Sequence, residues 1–224
     1  MHTLTSSERQ VLQTIEQHQM LDQVLTWAAV NSGSSNLAGL AATAKMLADA
    51  FAVLPGDVAL VAPEPVDRVL PDGSIKTVAH GEHLLVTVRP DSPTQLLFTG
   101  HMDTVFPADH AFQQLRWLED GTLTGPGVAD MKGGISVMLA AIRAAELSGS
   151  LARTGYQILI NSDEEVGSPS STKLIAELAQ NKLAALTYEP ALPDGTLAGA
   201  RGGSGNFSVI FSGLAAHAGR NPDD

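Results

Sequence analysis

Apolar positions along the chain follow two periods, and the period changes with place. Between residues 7 and 30, Val11, Leu12, Ile15, Met20, Leu21, Val24, Leu25 and Ala28 recur at helical spacing, with Ser7 and Gln10 set as a capping box. This predicts one amphipathic helix, stopped by Asn31-Ser32-Gly33-Ser34-Ser35. An Ala- and Leu-rich helix is expected over about 36–52, capped by Asn36. After a turn at Pro55-Gly56-Asp57, short strands are predicted at about 57–62, 83–89 and 95–100, with turns at Pro71-Asp72-Gly73 and Pro90-Asp91.

From residue 95 the rhythm changes. Leu96-Leu97-Phe98 is an unbroken apolar run, as in a strand buried on both faces. A Gly- and Pro-rich loop at 121–127 leads to a helix starting near Met131. A strand from Tyr156 to Asn161, a helix over about 170–180 and a strand over about 183–188 follow. This alternation predicts an α/β class: a mostly parallel mixed sheet flanked by helices. After Pro193-Asp194-Gly195 the pattern becomes one-sided, with Phe207, Val209 and Phe211 on one face of an expected antiparallel strand over Asn206–Ser212. A domain boundary is expected at Gly202-Gly203-Ser204-Gly205. It divides a domain over 1–201 from the start of a second over 202–224, which is too short to bury a core alone.

Composition narrows the function. The 224 residues are 44% hydrophobic, enough for a core, and carry 13 basic against 24 acidic side chains, a net charge of −11. That balance argues against a nucleic-acid partner, which needs a basic surface. There is no Cys, so disulfide scaffolds, thiolate zinc sites and Cys nucleophiles are excluded. No membrane span is expected, and the polar N-terminus lacks an apolar signal core, so a cytoplasmic location is expected.

In open α/β sheets, ligands bind beyond the carboxyl ends of the strands. The polar residues at those ends are His101 and Asp103, then Asp163, Glu164 and Glu165, then Glu189; Asp130 opens the joining helix. Singly, each has a plain structural reading: a strand-end histidine bonded to a carboxylate, or a solvated acidic turn before a helix. Together, Asp103, Asp130, Glu164, Glu165 and Glu189 would repel one another at one sheet edge, and a bound dication removes that conflict. One His with carboxylates suits Zn²⁺ or a similar borderline metal better than Ca²⁺. His101 and Asp103, two apart on an extended segment, face the same way, so Asp103 could orient the imidazole. Adjacent Glu164 and Glu165 diverge, so one can ligate metal while the other accepts a proton. Asp130 could bridge two metals.

These residues lie in recognisable segments. Gly100-His101-Met102-Asp103-Thr104-Val105, Gly125 to Gly134, Asp163-Glu164-Glu165-Val166-Gly167-Ser168, Tyr188-Glu189-Pro190 and Gly213 to Gly219 occur in order. The chain so resembles the dizinc hydrolase family of glutamate carboxypeptidase, acetylornithine deacetylase, succinyl-diaminopimelate desuccinylase and aminoacylase, the glutamate carboxypeptidase group above all. The resemblance implies hydrolysis of peptide or N-acyl amino-acid amide bonds by two zinc ions, with Co or Mn as possible substitutes. It makes His101 and Glu189 ligands of one zinc, Glu165 a ligand of the second, and Asp130 the bridge. It makes Asp103 the orienter of His101, and Glu164 the general base that activates the water between the ions. It implies a cis peptide after Asp130, a lid domain opening at 202–224, and a homodimer in which His217 reaches the partner's site. The family's last zinc ligand and its substrate-carboxylate Arg have no match in these 224 residues. The chain alone is therefore expected to be inactive or nearly so. The rival reading is a non-catalytic or single-metal relative that keeps the fold.

Two further segments were weighed. His80-Gly81-Glu82-His83 carries ligand-type residues but reads as a surface loop before a strand. Gly127 to Gly134 with Lys132 lacks the spacing of a phosphate loop, so its glycines read as allowing close backbone packing.

Overall fold

The long unbroken apolar strands lie at the centre of the sheet, where both faces are covered. The computed structural model describes residues 4–15, 17–199, 202, 203, 205, 207–211, 213, 217, 219 and 220. Its main sheet contains β1 (Asp57–Val61), β4 (His83–Val88), β8 (Thr154–Asn161), β5 (Thr94–His101) and β9 (Ala184–Thr187), in that order. β1 pairs with β4, and β4 with β8, antiparallel; β8–β5 and β5–β9 are parallel. The sheet is thus mixed, and its parallel half carries the strand ends of interest. Two small hairpins, β2 (Val66–Val69) with β3 (Ile75–Val78) and β6 (Arg116–Trp117) with β7 (Leu123–Thr124), sit outside it. The first is folded about the expected Pro71-Asp72-Gly73 turn, but its strands are too exposed to show a buried face in sequence.

Helices α3 (Leu37–Phe51) and α4 (Gly134–Leu147) cover one face. Leu40, Leu47 and Phe51 from α3, and Ile135, Met138 and Ile142 from α4, pack with Val86, Ile158 and Ile160 in one core. Fully burying each such side chain is worth about 1.5–3 kcal/mol. Across the sheet, Leu97 and Leu159 form a smaller cluster with Leu178 of α5 (Thr172–Leu178).

The N-terminal prediction needs correction. Residues 7–30 form two helices, α1 (Ser6–Gln13) and α2 (Gln17–Ala28). The cap is Thr5, not Ser7: Thr5 Oγ1 accepts the Glu8 amide at 3.2 Å, and the Glu8 carboxylate accepts the Thr5 amide at 2.6 Å. A Glu three residues after Thr5 completes the reciprocal box that Ser7 and Gln10 only imitate. Asn36 caps α3 as expected, accepting the Gly39 amide at 3.1 Å. The helix expected near Met131 begins regularly only at Gly134, because Val128–Gly133 is kinked, with Asp130 and Met131 outside helical geometry. The Asp130–Met131 peptide is cis.

The surface-loop reading fails at His83. It opens β4 and is 1% exposed, its Nδ1 accepting the Ser162 amide at 3.3 Å. For the strand expected over Asn206–Ser212, both end residues lie outside the described residues, and 207–211 carry no strand pairing. An extended segment needs a ladder partner to become a strand. Among the described residues, no helix is long and apolar enough to cross a membrane.

Candidate metal centre

The register of the parallel half builds the site. His101 of β5 pairs directly with Asn161 of β8, and Thr99 pairs with Thr187 of β9. The next residues of each strand therefore leave the sheet at one edge. They carry His101 and Asp103, then Asp163, Glu164 and Glu165, then Glu189. The kinked segment before α4 brings Asp130 in from the side.

The site is graded from dry to wet. His101 is 1% exposed and Asp103 fully buried, whereas the Asp130, Glu164 and Glu189 side chains are 55%, 47% and 30% exposed. His101 Nε2 donates to Asp130 Oδ1 at 2.9 Å, with Glu189 Oε1 at 3.6 Å and Glu164 Oε2 at 3.9 Å. Its Nδ1 donates to the Asp103 carbonyl at 3.0 Å and stands 3.3 Å from Asp103 Oδ1. The imidazole is thus gripped through both the backbone and the carboxylate of residue 103. Burial alone lowers the His101 pKa, but the contacts with Asp103 and Glu189 outweigh it and raise it to about 11. Without metal, the ring so raised is the counter-ion of the acidic cluster. Burial, then the nearby Asp130 charge, lifts Glu165 to about 7. Burial also raises Glu164; the His101 charge opposes this, and the neighbouring carboxylates add to it.

A divalent cation fits this donor set. One ligand atom each from His101, Asp130 and Glu165 lies within 4.8 Å of the others, and Glu165, raised by burial and then by the Asp130 charge, is an acid a cation would relieve. A cleft of about 310 Å³ opens beside Asp130 and Glu165, with Phe106 and Phe112 on its wall. His217 is not part of the cluster. It is exposed, and its Nδ1 accepts the Gly219 amide at 3.1 Å.

Sequence reasoning passed over several supports. Asp163 is fully buried and accepts from Ser170 N and Oγ at 2.6 and 2.8 Å, Ser171 Oγ and N at 2.7 and 3.3 Å, and Asn161 Nδ2 at 3.2 Å. This clamps the base of the Glu164–Glu165 turn. Lys132 is buried and donates to the Trp27 and Val30 carbonyls, both at 3.0 Å, tying the Asp130 segment to the end of α2. The run of Ser168, Ser170 and Ser171 after Asp163 was a signal in the sequence. The partners of Lys132 lie more than a hundred residues away and left none.

Comparison with known proteins agrees with this geometry. The model of peptidase family M20/M25/M40 matches residues 97–207. Carboxypeptidase G2 of a Pseudomonas species is 31% identical over 144 residues, covering 64% of this chain and 35% of that protein. Succinyl-diaminopimelate desuccinylase 2 of Shewanella loihica is 36% identical over 103 residues, covering 42% of this chain and 26% of that protein. Human carnosine dipeptidase 1 superposes with a TM-score of 0.64 at 21% identity, over 82% of this chain and 41% of that one. An M20 family metallo-carboxypeptidase from Sulfolobus solfataricus does so with a TM-score of 0.58 at 19% identity, over 79% of this chain and 39% of that one. The chain spans about a third of the length of the curated relatives it matches.

Proposed function

Because this chain belongs to peptidase family M20/M25/M40 through its residues 97–207, we propose that it is the metal-holding part of a hydrolase of peptide or N-acyl amino-acid amide bonds. One observation carries the reading. His101, Asp130 and Glu165 converge on a space 4.8 Å across, and Glu164, with no place in that triplet, stands 3.9 Å from His101 Nε2.

In this reading His101, Asp130, Glu165 and Glu189 would hold two divalent ions, zinc by donor type, which would supply Lewis acidity toward water and the scissile carbonyl. Glu164 takes a proton from the attacking water and delivers it to the leaving amine. Burial raises its half-exposed carboxylate from the ordinary value, the direction that suits a group taking up and passing on a proton. Asp103 touches neither water nor substrate. It holds the His101 ring so that Nε2 faces Asp130 and Glu189. The same reading divides the chain into a catalytic domain over 1–201 and the start of a lid over 202–224, from which His217 serves the partner subunit of a homodimer.

Full-length protein loaded with Zn²⁺ or Co²⁺ is expected to hydrolyse members of a panel of dipeptides and N-acyl amino acids. Glu164→Gln should lower kcat by about 10²–10⁴-fold with metal content unchanged. Absence of bound metal, or a Glu164→Gln variant with undiminished turnover, would refute the proposal.

A further inference from the structure

The segment between α2 and α3 was read from sequence as a helix stop. In the fold it lies along the site. Thr104 N donates to the Ser32 carbonyl at 3.0 Å, Ser34 N to the Thr104 carbonyl at 3.2 Å, and Ser32 Oγ to the Met102 carbonyl at 2.7 Å. Residues 32–34 therefore run beside 102–104 like a short extra strand. Gly33 makes this approach possible: a Cβ there would lie 2.4 Å from the Phe106 carbonyl oxygen.

The contact places Ser34 over Asp103. Ser34 Oγ donates to Asp103 Oδ2 at 2.7 Å, and the same oxygen accepts the Glu165 amide at 3.1 Å. Oδ1 accepts the Glu164 amide at 3.1 Å and faces His101 Nδ1 at 3.3 Å. An ionised carboxylate offers about four lone-pair directions; three take hydrogen bonds here, from Ser34 Oγ and the Glu164 and Glu165 amides, and Oδ1 also faces the His101 ring. Asp103 thus does more than steer one imidazole. Its two oxygens fix, at once, the His101 ring and the backbone from which Glu164 and Glu165 project. Of the three donors, the Ser34 hydroxyl alone lies outside the glutamate pair. It is the one that ties the Asp103 carboxylate to the segment between α2 and α3.

We propose that Ser34 is a positioning residue of the metal centre, acting through Asp103 to hold His101 and the Glu164–Glu165 turn in the arrangement that takes up metal. The inference rests on the metal-site reading above. It does not make Ser34 a ligand or a catalytic residue.

The test uses full-length protein, with Zn²⁺ and Co²⁺ affinity measured by competition with a chromophoric chelator and thermal unfolding measured on the metal-free form. Ser34→Ala is expected to weaken metal binding by about 10–100-fold. Ser34→Thr, which keeps the hydroxyl, should recover most of that loss. Metal-free Tm should stay close to wild type in both. Equal affinity in Ser34→Ala and wild type overturns the inference and leaves the metal site standing. So does an equal loss in both variants, or a loss that follows a fall in metal-free Tm, since either marks a packing role. Failure of the wild-type protein to bind metal overturns the functional reading, and this inference with it.

Discussion

Gly134→Ala examines how the start of α4 sets the place of Glu189. A Cβ at Gly134 would lie 1.9 Å from the Tyr188 carbonyl oxygen, and real Cβ atoms essentially never come closer than 3.0 Å to a neighbour. The two backbones must therefore part by roughly 1 Å, a misfit of the overpacking kind. Tyr188 is not free to yield alone. Its amide donates to the Thr99 carbonyl at 3.3 Å, and its ring lies 6.4 Å from that of Phe98. Two effects compete. Alanine is a better helix former than glycine by about 1 kcal/mol in a helix interior, and by less at the first residue of α4. Overpacking costs about 1–3 kcal/mol, so the steric term wins, for a net loss of about 1–2 kcal/mol. For a chain of this size that lowers Tm by about 2–8 °C. The site feels the same displacement, because Glu189 follows Tyr188 directly and its Oε1 stands 3.6 Å from His101 Nε2. Metal affinity, read by chelator competition, should fall by about 10-fold or more. An unchanged Tm would refute the steric argument. A lowered Tm with wild-type affinity would refute the link from Gly134 to Glu189.

Two pH experiments follow from the buried charges. Without metal, Glu165 is raised from 4.5 to about 7 by burial and by Asp130, so the folded chain holds a proton that the unfolded chain has lost, and stability falls across that interval. His101, raised from 6.5 to about 11, adds stability that is complete below pH 6.5 and declines as pH climbs toward 11. Both leave the metal-free chain weaker at pH 8 than at pH 5, so the Tm gain on adding Zn²⁺ or Co²⁺ should be larger at pH 8; equal gains would contradict this. Burial raises the Asp163 carboxyl, but bonds from Ser171 and Ser170 more than offset it and hold the carboxyl below its usual value. Its contribution is therefore present above pH ~4 and lost as pH falls through the lowered value. Urea midpoints of Asp163→Asn should depend less on pH between 5 and 3 than those of wild type, and parallel curves would remove Asp163 from the account.

The strand-end residues were legible in the sequence because the rule that finds them is local. Leu96-Leu97-Phe98 announces a doubly buried strand, and the residues after such strands must share a sheet edge wherever the strands are parallel. Thus His101, Asp103, Glu164, Glu165 and Glu189 group together on the sequence alone. The end of α1 at Gln13 was missed because α1 and α2 together mimic one apolar periodicity. The Thr5 cap was missed because Ser7 with Gln10 fits the same local pattern as Thr5 with Glu8.

By itself, then, the amino-acid order determined that β5 and β8 would be buried and which side chains would stand at the strand ends, and it pointed to a cation among so many acids; β9 was grouped with them although all four of its residues are exposed. Period and burial are properties of a few neighbouring residues. Only the tertiary structure decided what holds those side chains still. Ser34 reaches Asp103 across 69 positions, and Lys132 reaches the α2 carbonyls across more than a hundred. Hydrogen bonds of that span leave no periodic trace, because each depends on one donor meeting one acceptor after the whole sheet has closed.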